Sequence, residues 1–255
     1  MKKYIPNLVT LLNLFCGSIA VLFAVNSNFT AAAVFVFLGI FFDFFDGLLA
    51  RKLNVQSDLG VQLDSLADMV TSGLVPGVVM YKLLVMSMDA PSISTEQDWS
   101  SSVDWYSFKI PVVPLIGLFI TLASAYRLAK FNIDEDQQTY FKGLPTPANA
   151  LLILSLPLII QFQNTQFITT LILNPWFLIG LTFVSCYLLN AKVKLFALKF
   201  KDYSFKNNTI RYVLIIATIV LLVLLQFAAI PLIILLYIGL SVFENIRSKS
   251  LSKSL

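Results

Sequence analysis

Asp43, Asp46, Asp64 and Asp68 are the residues of this chain best suited to chemistry. On a helix, Asp43, Asp46, Gly47 and Ala50 share one face at spacings of three and four. Gly60, Asp64 and Asp68, spaced by four, form a second such stripe. Both stripes lie in apolar surroundings, where an aspartate near the membrane centre costs ~2.5–3.5 kcal/mol on insertion scales. Four converging carboxylates would also repel one another. Divalent cations offset both costs, and hard carboxylate oxygens suit Mg²⁺, Mn²⁺ or Ca²⁺. Two such ions about 3.5–4 Å apart stabilise the attacking and leaving oxygens of a phosphoryl displacement.

Two other uses of intramembrane aspartates compete with this one. A single aspartate can serve as an interhelical hydrogen bond or a helix cap, but four on two glycine-bearing faces exceed that need. A carboxylate-lined ion transporter places charges near the midplane and often has repeated halves; no internal repeat is visible here. The chain has no histidine, which excludes imidazole as base, nucleophile or metal ligand. Cys16 and Cys186 fall in apolar segments without CxxC spacing and read as small buried hydrophobes rather than a disulfide or thiolate site.

The elements that must position these groups are membrane helices. Hydrophobic residues make up 58% of 255, charged residues 13%, and mean hydropathy is +0.82, against about a quarter charged in a soluble globule. Crossing the hydrocarbon takes about 20 apolar residues, which places spans near 6–25, 30–50, 60–86, 109–131, 147–162, 167–190, 210–226 and 229–245. The expected fold is thus all-α, a polytopic bundle of about eight transmembrane helices with six or seven as the alternative count, since the fifth span is short and interrupted by Pro157 and the last pair could form one tight hairpin. It divides into a catalytic core over 1–190, a basic loop over 191–209 and a C-terminal helix pair with tail over 210–255. The start, Met1-Lys2-Lys3, resembles a signal peptide but lacks a clear cleavage site and reads as part of a retained first helix.

Cation placement sets the orientation. Lys2, Lys3, Arg51, Lys52, Arg127, Lys130, Lys142, Lys192, Lys194, Lys199, Lys201, Lys206, Arg211, Arg247, Lys249 and Lys253 all fall at even-numbered ends. The longest odd-numbered loop, 89–107, carries Asp89, Glu96, Asp98 and Asp104 instead. The positive-inside rule then puts both termini and the aspartates' end in the cytoplasm, within the cell membrane. The stretch from Lys192 to Lys206 alternates cations with large apolar residues and fits either a segment lying on an anionic leaflet or an ordinary basic loop. Nothing in the chain suggests nucleic acid as a partner.

Read together, Asp43 to Asp68 spell D-x2-D-G-x2-A-R-x8-G-x3-D-x3-D. This pattern resembles the signature of the CDP-alcohol phosphatidyltransferase family, with its fixed positions at Asp43, Asp46, Gly47, Ala50, Arg51, Gly60, Asp64 and Asp68. The resemblance implies transfer of a phosphatidyl or related group from a CDP-linked donor to an alcohol, with release of CMP. It also implies that the four aspartates hold two divalent ions, Mg²⁺ or Mn²⁺ with Ca²⁺ also suitable, and that Asp68 doubles as general base. Gly47 and Arg51 match nucleotide and pyrophosphate contacts, and a guanidinium forks well onto phosphate oxygens. Ser57 stands where the family commonly contacts the nucleotide, and fits equally well as an N-cap. Asn7 and Thr10 belong to a Pro6-led element that resembles a cytidine contact; three apart, they share a face.

Three stretches resemble the phosphatidylserine synthase branch of that family: Leu63–Val70, Tyr126–Asn132 and Gly143–Ala148, with the Lys-rich Leu195–Lys201 piece beside them. Leu59 and Ser72 depart from that branch, which usually carries Phe before each glycine. The resemblance implies CDP-diacylglycerol and L-serine as substrates, a bilayer as environment and a homodimer as assembly. Arg127 and Asn132 would grip the serine carboxylate, although Arg127 also suits a topology-setting cation. Pro145 and Pro147 fit a stiff loop over the site or a plain helix stop. Phosphatidylglycerophosphate synthase or another CDP-alcohol phosphatidyltransferase is the alternative within the class.

Overall fold

The computed structural model describes residues 4–88, 112–133, 141–163, 165–195 and 208–251. Helix α1 (Ile5–Val25) and helix α2 (Phe29–Lys52) form an antiparallel pair joined by a tight turn at Asn26–Asn28. Small residues let them approach: Gly17, Ala20 and Ala24 on α1 and Ala32, Val36 and Gly39 on α2 are all buried. Lipid supplies no hydrophobic drive between helices, so such close backbone packing does the work. Helix α3 (Asp58–Asp68) starts from Ser57, whose hydroxyl accepts the Gly60 N–H at 3.1 Å.

A π-helical segment, Met69–Leu74, links α3 to helix α4 (Val75–Ser87) in one unbroken 30-residue stretch. Pro76 accounts for it: proline lacks an N–H and its ring crowds the carbonyl four residues back, at Ser72, so the ladder widens there to an i→i+5 pattern. Helix α5 (Phe119–Ile133) continues a 3₁₀ turn, Val113–Leu118. Helix α6 (Thr146–Phe162) contains Pro157, and helices α7 (Gln166–Ile172) and α8 (Pro175–Asn190) meet at a 60° bend. There Asn174 caps α8 by accepting the N–H groups of Trp176 and Phe177. Helices α9 (Thr209–Leu225) and α10 (Ala229–Leu251) are separated by a 3₁₀ turn, Gln226–Ala228.

Among the described residues five helical stretches are long and apolar enough to cross a membrane: Ile5–Val25, Phe29–Lys52, Asp58–Ser87, Val113–Ile133 and Thr209–Ile246. The bent pair α7–α8 adds a sixth if it is one broken span. The chain is a membrane-embedded helical bundle, and its five or six stretches of spanning length are fewer than the eight expected spans. Helix α6, 17 residues with Pro157 inside, is as short as the expected fifth span, and the expected last pair forms one helical stretch interrupted at Gln226. A two-residue antiparallel pairing of strand β1 (Phe141–Lys142) with strand β2 (Lys194–Leu195) is a feature the periodicity does not show. The acidic loop 89–107, Lys109, the terminal lysines and most of the basic stretch after Leu195 lie outside the described residues.

The main core joins Ala20, Val36, Val79, Leu83, Ile153 and Leu178 from five helices. A second cluster sets Ile234 of α10 on Leu144, Leu152 and Leu195. Phe15, Phe37, Trp176 and Val223 are each more than half exposed, as side chains facing lipid should be.

Candidate active site

Helices α2 and α3 bring Asp43, Asp46 and Asp64 together, with one carboxylate oxygen from each lying within 4.8 Å of the others. Asp46 is buried, and Thr10 on α1 donates its hydroxyl to Asp46 Oδ2 at 2.5 Å, with the Pro6 carbonyl 3.1 Å from the same oxygen. Asp64 Oδ1 is buried with no hydrogen-bond partner among the described residues. Three clustered carboxylates, one with an orphaned buried oxygen, are a donor set that fits a hard divalent cation. Asp68 stands one turn along α3, about 6 Å of rise from Asp64, and within electrostatic reach of Asp43. It lies outside the converging trio, and its Oδ1 accepts from Asn13 Nδ2 at 3.3 Å.

The other expected site residues divide into two groups. At the open side of the cluster, Arg51 folds back along α2 and donates from Nε to the Gly47 carbonyl at 3.0 Å. Among the described residues a β-carbon on Gly47 would meet nothing nearer than Arg51 Nη2 at 4.0 Å, which leaves room for a ligand beside the guanidinium. Asn7 reaches across from α1: its Oδ1 and Ser57 Oγ each lie 3.3 Å from where a β-carbon on Gly60 would sit. Asn7, Ser57 and Gly60 therefore make one small polar patch, and Ser57 is also the N-cap of α3.

Thr10 bonds Asp46, while Asn7 lies beside Gly60. Arg127 and Asn132 are not brought together either. Five residues apart on α5, they point roughly 140° away from each other. Arg127 is buried and donates to the Leu189 carbonyl at 2.5 Å, beside Gly143, where a β-carbon would strike it. Asn132 instead bonds Ser65, the neighbour of Asp64, with Nδ2 donating to Ser65 Oγ at 2.9 Å. Asn13 and Thr71 are site residues that the motif reading did not name. The available signal was a polar residue in each apolar helix, at a spacing of three from Thr10 and Asp68 respectively.

The sequence model of the CDP-alcohol phosphatidyltransferase family matches residues 3–187, which include every residue of this site. The chain belongs to that family. Among curated proteins, it is 34% identical over 145 residues to a CDP-diacylglycerol–serine O-phosphatidyltransferase of Bacillus subtilis, covering 57% of this chain and 70% of that protein. It is 30% identical over 181 residues to a protein of the same name from Methanocaldococcus jannaschii, covering 71% of each chain. Similarity to the archaetidylserine synthase of Methanothermobacter thermautotrophicus is 29% over 154 residues, covering 59% of this chain and only 56% of that protein. In this phosphatidyltransferase, α9 and α10 lie beyond the matched stretch.

Proposed function

We propose that the chain is a phosphatidylserine synthase, transferring the phosphatidyl group of CDP-diacylglycerol to the hydroxyl of L-serine and releasing CMP. The carboxylate cluster with its orphaned Asp64 oxygen carries the phosphoryl-transfer part of this reading. The relatives named as serine phosphatidyltransferases support the acceptor.

In this reading Asp43, Asp46, Asp64 and Asp68 would hold two divalent cations, Mg²⁺ or Mn²⁺, which would supply Lewis acidity at the phosphoryl oxygens. Asn7, Ser57 and the backbone at Gly60 receive the cytidine. Arg51, tethered through Nε, keeps both Nη groups for the pyrophosphate over Gly47. Thr10 holds Asp46 in place, and Asn132 and Ser65 line the approach of the acceptor. The serine hydroxyl oxygen attacks the phosphorus that bears the diacylglycerol oxygen. Asp68 takes the hydroxyl proton, and the bond from phosphorus to the CMP oxygen breaks.

The same reading places eight spans in the bilayer of the cell membrane, with the site at the cytoplasmic face. A straight 38-residue helix would be about 57 Å long, nearly twice the hydrocarbon thickness. Gln163 on α6 binds both sides of the Gln226 break, with Nε2 donating to the Leu225 carbonyl and Oε1 accepting the Ala228 N–H. These bonds favour a hairpin of two spans.

The test is CMP release by purified protein given CDP-diacylglycerol, Mn²⁺ or Mg²⁺ and a panel of alcohols. Serine-dependent CMP and phosphatidylserine, both abolished by EDTA, are expected. CMP release with glycerol 3-phosphate and none with serine would make it a phosphatidylglycerophosphate synthase. No CMP with any alcohol would remove the phosphatidyltransferase reading and return the transporter.

A further inference from the structure

Asp68 is held by a buried polar chain reaching back to the start of the π segment. Asn13 on α1 is fully buried and donates from Nδ2 to Asp68 Oδ1 at 3.3 Å. On its other side Asn13 Oδ1 accepts from Thr71 Oγ1 at 2.8 Å, and the Asn13 backbone carbonyl lies 3.2 Å from the same hydroxyl. An ionised carboxylate only accepts, so the amide nitrogen must face Asp68 and the amide oxygen must face Thr71. The Thr71 hydroxyl is then obliged to donate. Each member of the chain thus fixes the orientation of the next.

The surrounding backbone makes room for this chain at two helices. A β-carbon on Gly39 of α2 would sit 2.7 Å from Thr71 Cγ2 and 2.8 Å from Asn13 Oδ1. One on Gly17 of α1 would collide with Thr71 Oγ1 and lie 3.0 Å from the Thr71 backbone. Thr71 itself belongs to the π segment imposed ahead of Pro76, and it is fully buried. An apolar pair would fill the same volume without the cost of burying three side-chain polar atoms. Their placement therefore points to a task at Asp68.

We infer that Asn13 and Thr71 are positioning residues for Asp68, engaging its Oδ1 so that Oδ2 is turned toward the acceptor hydroxyl. The inference rests on the proposed role of Asp68 as base. Loss of either residue frees the carboxylate to rotate, and misplacement of a reacting group by an ångström costs on the order of 100-fold. Among the described residues neither side chain hydrogen-bonds Asp43, Asp46 or Asp64, so the converging trio keeps its own geometry and the pair acts on the site only through Asp68.

The experiment compares Asn13→Leu, Thr71→Val and Thr71→Ser with wild type and Asp68→Asn. It reads kcat, KM for CDP-diacylglycerol, Mn²⁺ affinity by electron paramagnetic resonance, and Tm in detergent. Asn13→Leu and Thr71→Val are expected to lower kcat roughly 10- to 100-fold, with KM and Mn²⁺ affinity within threefold of wild type. Thr71→Ser, which keeps the hydroxyl, is expected to recover most of that kcat at a Tm no higher than that of Thr71→Val. Wild-type kcat in Thr71→Val alongside an inactive Asp68→Asn would overturn the inference while leaving the base in place. Wild-type kcat in Asp68→Asn would overturn the base itself. A fall in Mn²⁺ affinity that tracks kcat would show the pair acting through the cation cluster and would also overturn the inference.

Discussion

Arg51 shows how a motif position becomes a mechanical part. Its Nε is spent on the Gly47 carbonyl, which pins the guanidinium plane beside the open face left by the missing β-carbon. Lysine at this position keeps the charge but loses both the tether and the planar fork. Hydrogen bonds to charged groups contribute about 1.5–3 kcal/mol, so Arg51→Lys should raise KM for CDP-diacylglycerol roughly 10- to 100-fold. Steady-state kinetics with serine held saturating checks this, and kcat should change far less than KM. Helical spacing alone pairs Asp43 with Asp46 and Asp64 with Asp68 on shared faces, whereas Arg51 stood out only through the resemblance to the family signature. The partners of Thr10, Arg127 and Asn13 were not legible in the sequence, since Asp46, Leu189 and Asp68 lie 36, 62 and 55 residues away. Such long-range pairs depend on how helices cross, and no local period encodes that. Arg127 is the instructive instance: a basic residue near a carboxylate site invites a ligand role, yet its side chain is directed to the end of α8.

At the scale of elements, hydropathy located nearly every helix, while their interruptions came from particular residues. Hydropathy draws one span over 60–86 through Pro76, and the widened turn ahead of that proline leaves the span continuous. The bend before α8 follows from Asn174-Pro175, a cap and a first-turn proline together. The break between α9 and α10 is different, because Gln226 adopts φ 46° and ψ −118°. That is the first central position of a type II′ turn, a conformation suited to glycine, and a side chain there costs on the order of 1–3 kcal/mol. Gln226→Gly should therefore stabilise the protein by about 1 kcal/mol, raising Tm by about 2–4 °C. Differential scanning fluorimetry in detergent measures this, and serine transfer per folded molecule should be unchanged. The side chain of Gln163, not that of Gln226, makes the bonds that hold the junction.

On the scale of the whole molecule, hydrogen bonds sort the helix ends into two sets. At one end Thr30 of α2 bonds Gln161 of α6 at 2.7 Å, and Gln163 holds the Gln226 turn. At the other, Asn132 bonds Ser65, Leu144 N–H bonds the Leu188 carbonyl, and β1 pairs with β2. The aspartates lie toward this second end, which also carries Arg51, Lys52, Lys130 and Lys192. Cations concentrated at one end are retained in the cytoplasm, so the site should open inward. Single cysteines in a Cys16→Ala, Cys186→Ala background test this with a membrane-impermeant maleimide. Asn26→Cys and Gln166→Cys, exposed at the first end, should label in intact cells. Gln56→Cys and Lys192→Cys, exposed at the second, should label only after permeabilisation. Labelling of Gln56→Cys in intact cells would reverse the orientation and put the carboxylate cluster on the outer face. The positive-inside assignment would then fail even though the helix boundaries stood, because charge, unlike packing, is what ties this bundle to one side of its membrane.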